Sequence, residues 1–117
     1  MTLPAIFATM ARMAAFRSDP RRYLCSQLVT LLWSGQSRVV NLEEIWRDGA
    51  VLECDESVPS GIHAEMRTET GTFAGIVSNV EEHDSGWRVE LEFSPLTPWS
   101  PDRFRPEHLL DPSELKG

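Results

Sequence analysis

From Trp87 to Phe93 the chain alternates without a break: Trp87, Val89, Leu91 and Phe93 fall on one face, and Arg88, Glu90 and Glu92 on the other. A period of two marks a strand with one buried and one wet side, and a helix does not satisfy it. The same period returns in Ala50, Leu52 and Cys54 against Val51 and Glu53, and in Ile62, Ala64 and Met66 against His63, Glu65 and Arg67. Turn-forming pairs punctuate these runs: Ser34-Gly35, Asp48-Gly49, Thr70-Gly71 and Asp84-Ser85-Gly86, with Pro59 and Gly61 in a loop. The pattern predicts strands over 23–33, 36–46, 49–54, 62–68, 73–82 and 86–93. Short turns and no long helix between strands predict an antiparallel barrel or sandwich and exclude a parallel sheet.

The flanks read differently. Leu3, Ile6, Phe7, Met10, Met13 and Ala14 recur at spacings of three and four, which predicts an amphipathic helix over 1–16. The run is too short to span a bilayer, Arg12 interrupts it, and no basic residue precedes it, so neither a transmembrane segment nor a secretory leader is expected. Pro20 breaks the helical pattern and opens a linker. At the other end Ser94–Pro101 carries three prolines, and Ser100-Pro101-Asp102 has the form of a capped helix start. A short helix over 101–110, ended by Asp111-Pro112, is expected.

A chain of 117 residues with 41% apolar and 25% charged side chains fits one globular domain. Its net charge of -7 is unevenly spread: residues 1–40 hold five arginines against Asp19, a net +4, and the remainder carries -11. A broad cationic face for duplex nucleic acid is therefore excluded. The cluster Arg17, Arg21 and Arg22 is either solvated charge or a site for a small anion, since a guanidinium pairs two phosphate oxygens and stacks on a base. Cys25 and Cys54 lack metal-site spacing and read as small buried residues of a reducing compartment. The three histidines share no spacing, so no metal site is expected.

The chain is not expected to be an enzyme. Glu43/Glu44, Glu81/Glu82 and Glu90/Glu92 fit a solvated face, no nucleophile and base stand at a recognisable spacing, and there is no glycine-rich phosphate loop.

Arg17-Ser18-Asp19-Pro20-Arg21, placed before the first strand, resembles the R-x-x-x-R motif of the PilZ domain family, with Arg22 as an extra basic residue or an alternative register. Val39-Val40-Asn41-Leu42, Gly49-Ala50-Val51-Leu52-Glu53, Val58-Pro59-Ser60-Gly61, Gly75-Ile76-Val77 and Trp87–Phe93 resemble that family's barrel from its second strand to its sixth. The resemblance covers about residues 17–110. It implies a mainly β fold, a six-stranded antiparallel PilZ-like β-barrel with an N-terminal amphipathic helix and a short C-terminal helix. The implied organisation is helix 1–16, arginine-rich linker 17–22, barrel with C-terminal helix 23–110 and tail 111–117.

The resemblance implies a bacterial, cytoplasmic signalling module that binds the second messenger cyclic diguanylate (cyclic di-GMP), with Arg17, Arg21, Arg22, Asn41, Trp46 and Gly49 as ligand-binding residues. The family's second motif, [D/N]-x-S-x-x-G, is irregular here. Counted from Gly49, the Asp/Asn position is Glu44 and the Ser position is Trp46; counted from Asn41, the Ser position is Glu43 and Gly49 comes three residues late. Trp46 then either fills the space a base would use unless it turns inward to the core, or a longer turn or bulge keeps Asn41 in place and makes Trp46 a stacking platform. Two functions follow. In one, ligand orders the arginine segment over the barrel and changes how the N-terminal helix is displayed. In the other, the barrel has lost the nucleotide and is an interaction or adaptor domain, contacting a protein partner through the N-terminal helix or through Trp99 and Phe104, which are equally placed to be core plugs for the open barrel.

Overall fold

The inward-facing residues of each alternating run meet in a single core. The computed structural model describes residues 21–112; the expected N-terminal helix, Arg17 and residues 113–117 lie outside them. Six strands follow one another: β1 Tyr23–Trp33, β2 Gln36–Trp46, β3 Gly49–Cys54, β4 His63–Arg67, β5 Thr72–His83 and β6 Gly86–Phe93. They close into an antiparallel barrel in the order β1-β2-β3-β6-β5-β4. Four of the six predicted spans agree residue for residue and the other two within one residue at each end, and closure leaves the barrel without a free sheet edge at its waist.

Val29, Leu31 and Trp33 of β1, Val40, Leu42 and Ile45 of β2, and Ala50, Leu52 and Cys54 of β3 point inward with Ala64, Met66, Phe73, Val77, Val89, Leu91 and Phe93. Two of these series break the period of two. Leu42 and Ile45 are three apart because the β2–β3 register shifts between Leu42 and Glu44, and a similar shift follows Val77 in β5. Such bulges turn the strand by one residue and keep the next apolar side chain in the core. The first turn is set by backbone sign: Ser34 and Gly35 have φ of 48° and 77°, the left-handed pair that a two-residue hairpin needs.

No helix forms over 101–110, contrary to expectation. Residues 101–103 make one turn, with Phe104 N–H reaching the Ser100 carbonyl at 3.3 Å, and the chain then runs without helix through 104–106 into a second turn at 107–108, where His108 has a φ of 60°. Pro106 is the reason: it has no N–H for a helical bond to Asp102 and it forces Arg105 away from the helical region. The non-helical segment has a use. β1 pairs with β4 only at Thr30–Leu32, and residues 107–110 cover part of the remaining edge. Leu24 and Leu110 exchange N–H···O bonds at 2.8 and 2.7 Å, Ser26 N–H donates to the Glu107 carbonyl at 3.1 Å, and Glu107 N–H donates to Gln27 Oε1 at 3.0 Å.

Trp99 and Phe104 are part of the core, the plug reading of the two open to them, and are too buried to serve as the alternative partner contact. Trp99 packs edge-on against Tyr23 at 5.6 Å, Phe104 lies 6.4 Å from Phe73, and the Trp99 Nε1–H donates to the Phe104 carbonyl at 2.8 Å. Together they close one end of the barrel. Among the described residues no helix is long and apolar enough to cross a membrane.

Candidate functional site

Tyr23 stands opposite Ile45, and Leu24 opposite Glu44, in the β1–β2 register. Extending that register by one residue brings Arg22 opposite Trp46 on the outer face of the barrel, where directly opposed side chains touch. The Arg22 guanidinium lies 3.7 Å from the Trp46 ring centroid. Trp46 itself pairs with Gly49 across the two-residue turn Arg47-Asp48. It does not turn inward: it is outside the cluster that fills the barrel, yet only 7% exposed. The bare Cα of Gly49 makes this flat placement possible, since a Cβ there would stand 2.8 Å from Trp46 Cζ2.

The next row across the sheet is Glu44 on β2, Val51 on β3 and Glu90 on β6. Arg22 reaches diagonally over it, with Nη1 3.8 Å from Glu44 and Nη2 3.6 Å from Glu90. Arg88 approaches Glu44 at 4.0 Å from the other side. One arginine therefore links an aromatic ring and carboxylates from two strands that are not neighbours. Stacking of this kind contributes about 0.5–1 kcal/mol at a wet surface.

A further row along β2 and β3 holds a pair of acids. Glu43, displaced by the β2 bulge, is pushed up to about 7 by burial, by a hydrogen bond with Glu53 and by the Glu53 charge, while Arg88 and His83 pull it down. A second carboxyl in contact disfavours the ionised form of Glu43, which adds to the effect of burial. Glu53 pairs with Asn41 on one side and with Arg88 on the other.

The expected ligand residues do not converge. Arg21 turns to Asp111, with Nη1 3.1 Å from Oδ2. Asn41 accepts from Ser26 Oγ at 3.5 Å and pairs with Glu53, four residues along β3 from Gly49, about 13 Å at the usual strand rise. Arg22, Trp46 and Gly49 come together; Asn41 and Arg21 stand apart from them. The irregular stretch has both a tight turn and a bulge: Trp46 and Gly49 flank two residues, and the bulge falls at Glu43–Glu44. Sequence reasoning placed Glu44 at the motif position but read Glu90 and Arg88 as solvated charge. The signal that finds them is the cross-strand register, which follows from the turn residues once the hairpins are paired.

Elsewhere on the surface, two shallow depressions of about 480 and 520 Å³ share His63, Ala74 and Gly75. Neither brings together groups able to activate a nucleophile. Among the described residues no three His, Cys, Asp or Glu side chains are grouped to hold a metal ion. No protein-family model and no curated protein matches the chain.

Proposed function

We propose that the chain is a PilZ-like barrel acting as a protein-interaction or adaptor module that does not take cyclic diguanylate. The observation that carries this reading is the position of Arg22, stacked on Trp46 and held between Glu44 and Glu90. A phosphate-rich ligand needs arginines free to pair with it and a small neutral side chain beneath the base. Here the outer face offers an indole where a hydroxyl is wanted, and the carboxylates of Glu44, Glu53 and Glu90 repel an anion. Arg21 is drawn off toward Asp111.

The module works by binding rather than by catalysis, in a reducing bacterial cytoplasm suited to its two free thiols. Calorimetric titration with cyclic diguanylate tests the reading. The expected result is no heat up to about 100 μM, where a receptor would be mostly bound. Low-micromolar binding that is lost in Arg17→Ala/Arg21→Ala protein overturns it and makes the chain a nucleotide receptor.

A further inference from the structure

Arg22 is held in an unusual manner for an ion-paired arginine. Its nitrogens stand 3.6 and 3.8 Å from the two glutamates, beyond hydrogen-bond range, and the side chain is 48% exposed. The surroundings are better made than the fit. Trp46 supplies a floor that is fixed by Gly49, Glu44 and Glu90 supply walls from β2 and β6, and Val51 between them is 3% exposed. An aromatic face with a carboxylate on either side matches a planar guanidinium, which stacks and forks at once, better than a compact ammonium.

We propose that Trp46, Glu44 and Glu90 form a guanidinium socket, filled at rest by Arg22, that docks an arginine side chain on a basic segment of a partner protein. The proposal rests on the interaction-module reading and supplies the chemistry of its partner. Arg22 precedes the first paired residue of β1, so its side chain can leave the socket without breaking a barrel pairing. Once it leaves, Glu44 and Glu90 lose the Arg22 charge, and Glu44 keeps Arg88 at 4.0 Å. The resulting field attracts a cation and repels the anion expected from the family resemblance. An arginine presented from outside, with its approach not set by the β1 backbone, can close the long distances into charge-assisted hydrogen bonds.

As a tethered occupant Arg22 competes at an effective concentration in the millimolar range. Removing it should therefore open the socket to an arginine supplied in trans. The probe is the peptide acetyl-Gly-Gly-Arg-Gly-Gly-amide, titrated to about 10 mM into isotope-labelled Arg22→Ala protein while the Trp46 indole N–H is followed by NMR. That signal is assigned with Trp46→Phe. The expected result is a saturable shift, about tenfold weaker in the unsubstituted protein, several-fold weaker with lysine in place of arginine, and lost when Glu44→Gln and Glu90→Gln are added. No saturable shift at Trp46, or an equal response to the lysine peptide, overturns the proposal. Arg22→Gln serves the same test if the alanine variant does not fold. Cyclic diguanylate binding to the unsubstituted protein would overturn the module reading alone, because the peptide titration does not depend on it.

Discussion

Gly49 lies so close beneath Trp46 that a single methyl group would separate them: a Cβ at position 49 would stand 2.8 Å from the indole Cζ2 and 2.6 Å from the Leu91 carbonyl oxygen. The second contact is to backbone of the neighbouring strand and cannot yield by a side-chain rotation. Gly49→Ala is expected to destabilise the protein by about 1–3 kcal/mol, the usual cost of overpacking. Urea denaturation checks the loss. Near-ultraviolet circular dichroism of the folded variant should also change, since the indole must lift away from β3 and from Arg22.

Trp99 joins the barrel to its C-terminal segment through one buried bond, from its Nε1–H to the Phe104 carbonyl at 2.8 Å. Trp99→Phe keeps most of the ring volume and removes the donor, leaving a buried carbonyl unsatisfied. The expected cost is about 1–3 kcal/mol. Amide hydrogen exchange separates this from general loosening: protection should fall first at Leu24, Ser26 and Leu110, whose bonds hold the segment to β1, and last in β3 and β6.

The strands were legible because period-two alternation survives translation into structure wherever both faces keep their own solvent, as in β3 and β6. Closure into a barrel was legible only as one of two options, since alternation is the same in a sandwich. Two features misled. Ser100-Pro101-Asp102 carries a sound helix-start signal, but Pro106 vetoes propagation a turn later, and a local start signal has no knowledge of it. Trp46 sits on the exterior face yet is buried, because its partner across the turn is a glycine; hydrophobicity alone assigns such a ring to the core. At the candidate site, Arg22 and Trp46 were legible as residues of interest, while Glu90 entered only through the register of strands distant in sequence.

Cys25 and Cys54 are both free, and burial followed by neighbouring carboxylate charges pushes each thiol up to about 12. At mildly alkaline pH almost no thiolate exists to attack a disulfide reagent. Native protein should therefore react with Ellman's reagent far more slowly than unfolded protein, and both thiols should react at once after unfolding in urea. Rapid modification of either thiol in folded protein would contradict the packing of β1 on β2 around Cys25 and of β3 on β6 around Cys54.

Glu43 makes stability depend on pH in a direction opposite to that of most carboxylates. Its folded value is raised from 4.5 to about 7, first by burial, then by the hydrogen bond with Glu53 and by the Glu53 charge. The folded state thus holds this proton more tightly than the unfolded chain. Its contribution is fully present below about pH 4.5 and is lost as pH rises through about 7. Glu43→Gln fixes the side chain in a neutral, hydrogen-bonding form at every pH. Urea midpoints of the two proteins should converge near about pH 4.5 and separate above it, with the variant the more stable at about pH 8. Arg88 opposes the shift, so Arg88→Ala should steepen the decline in stability with pH. Parallel midpoint curves for Glu43→Gln and the unsubstituted protein would contradict the raised value at Glu43.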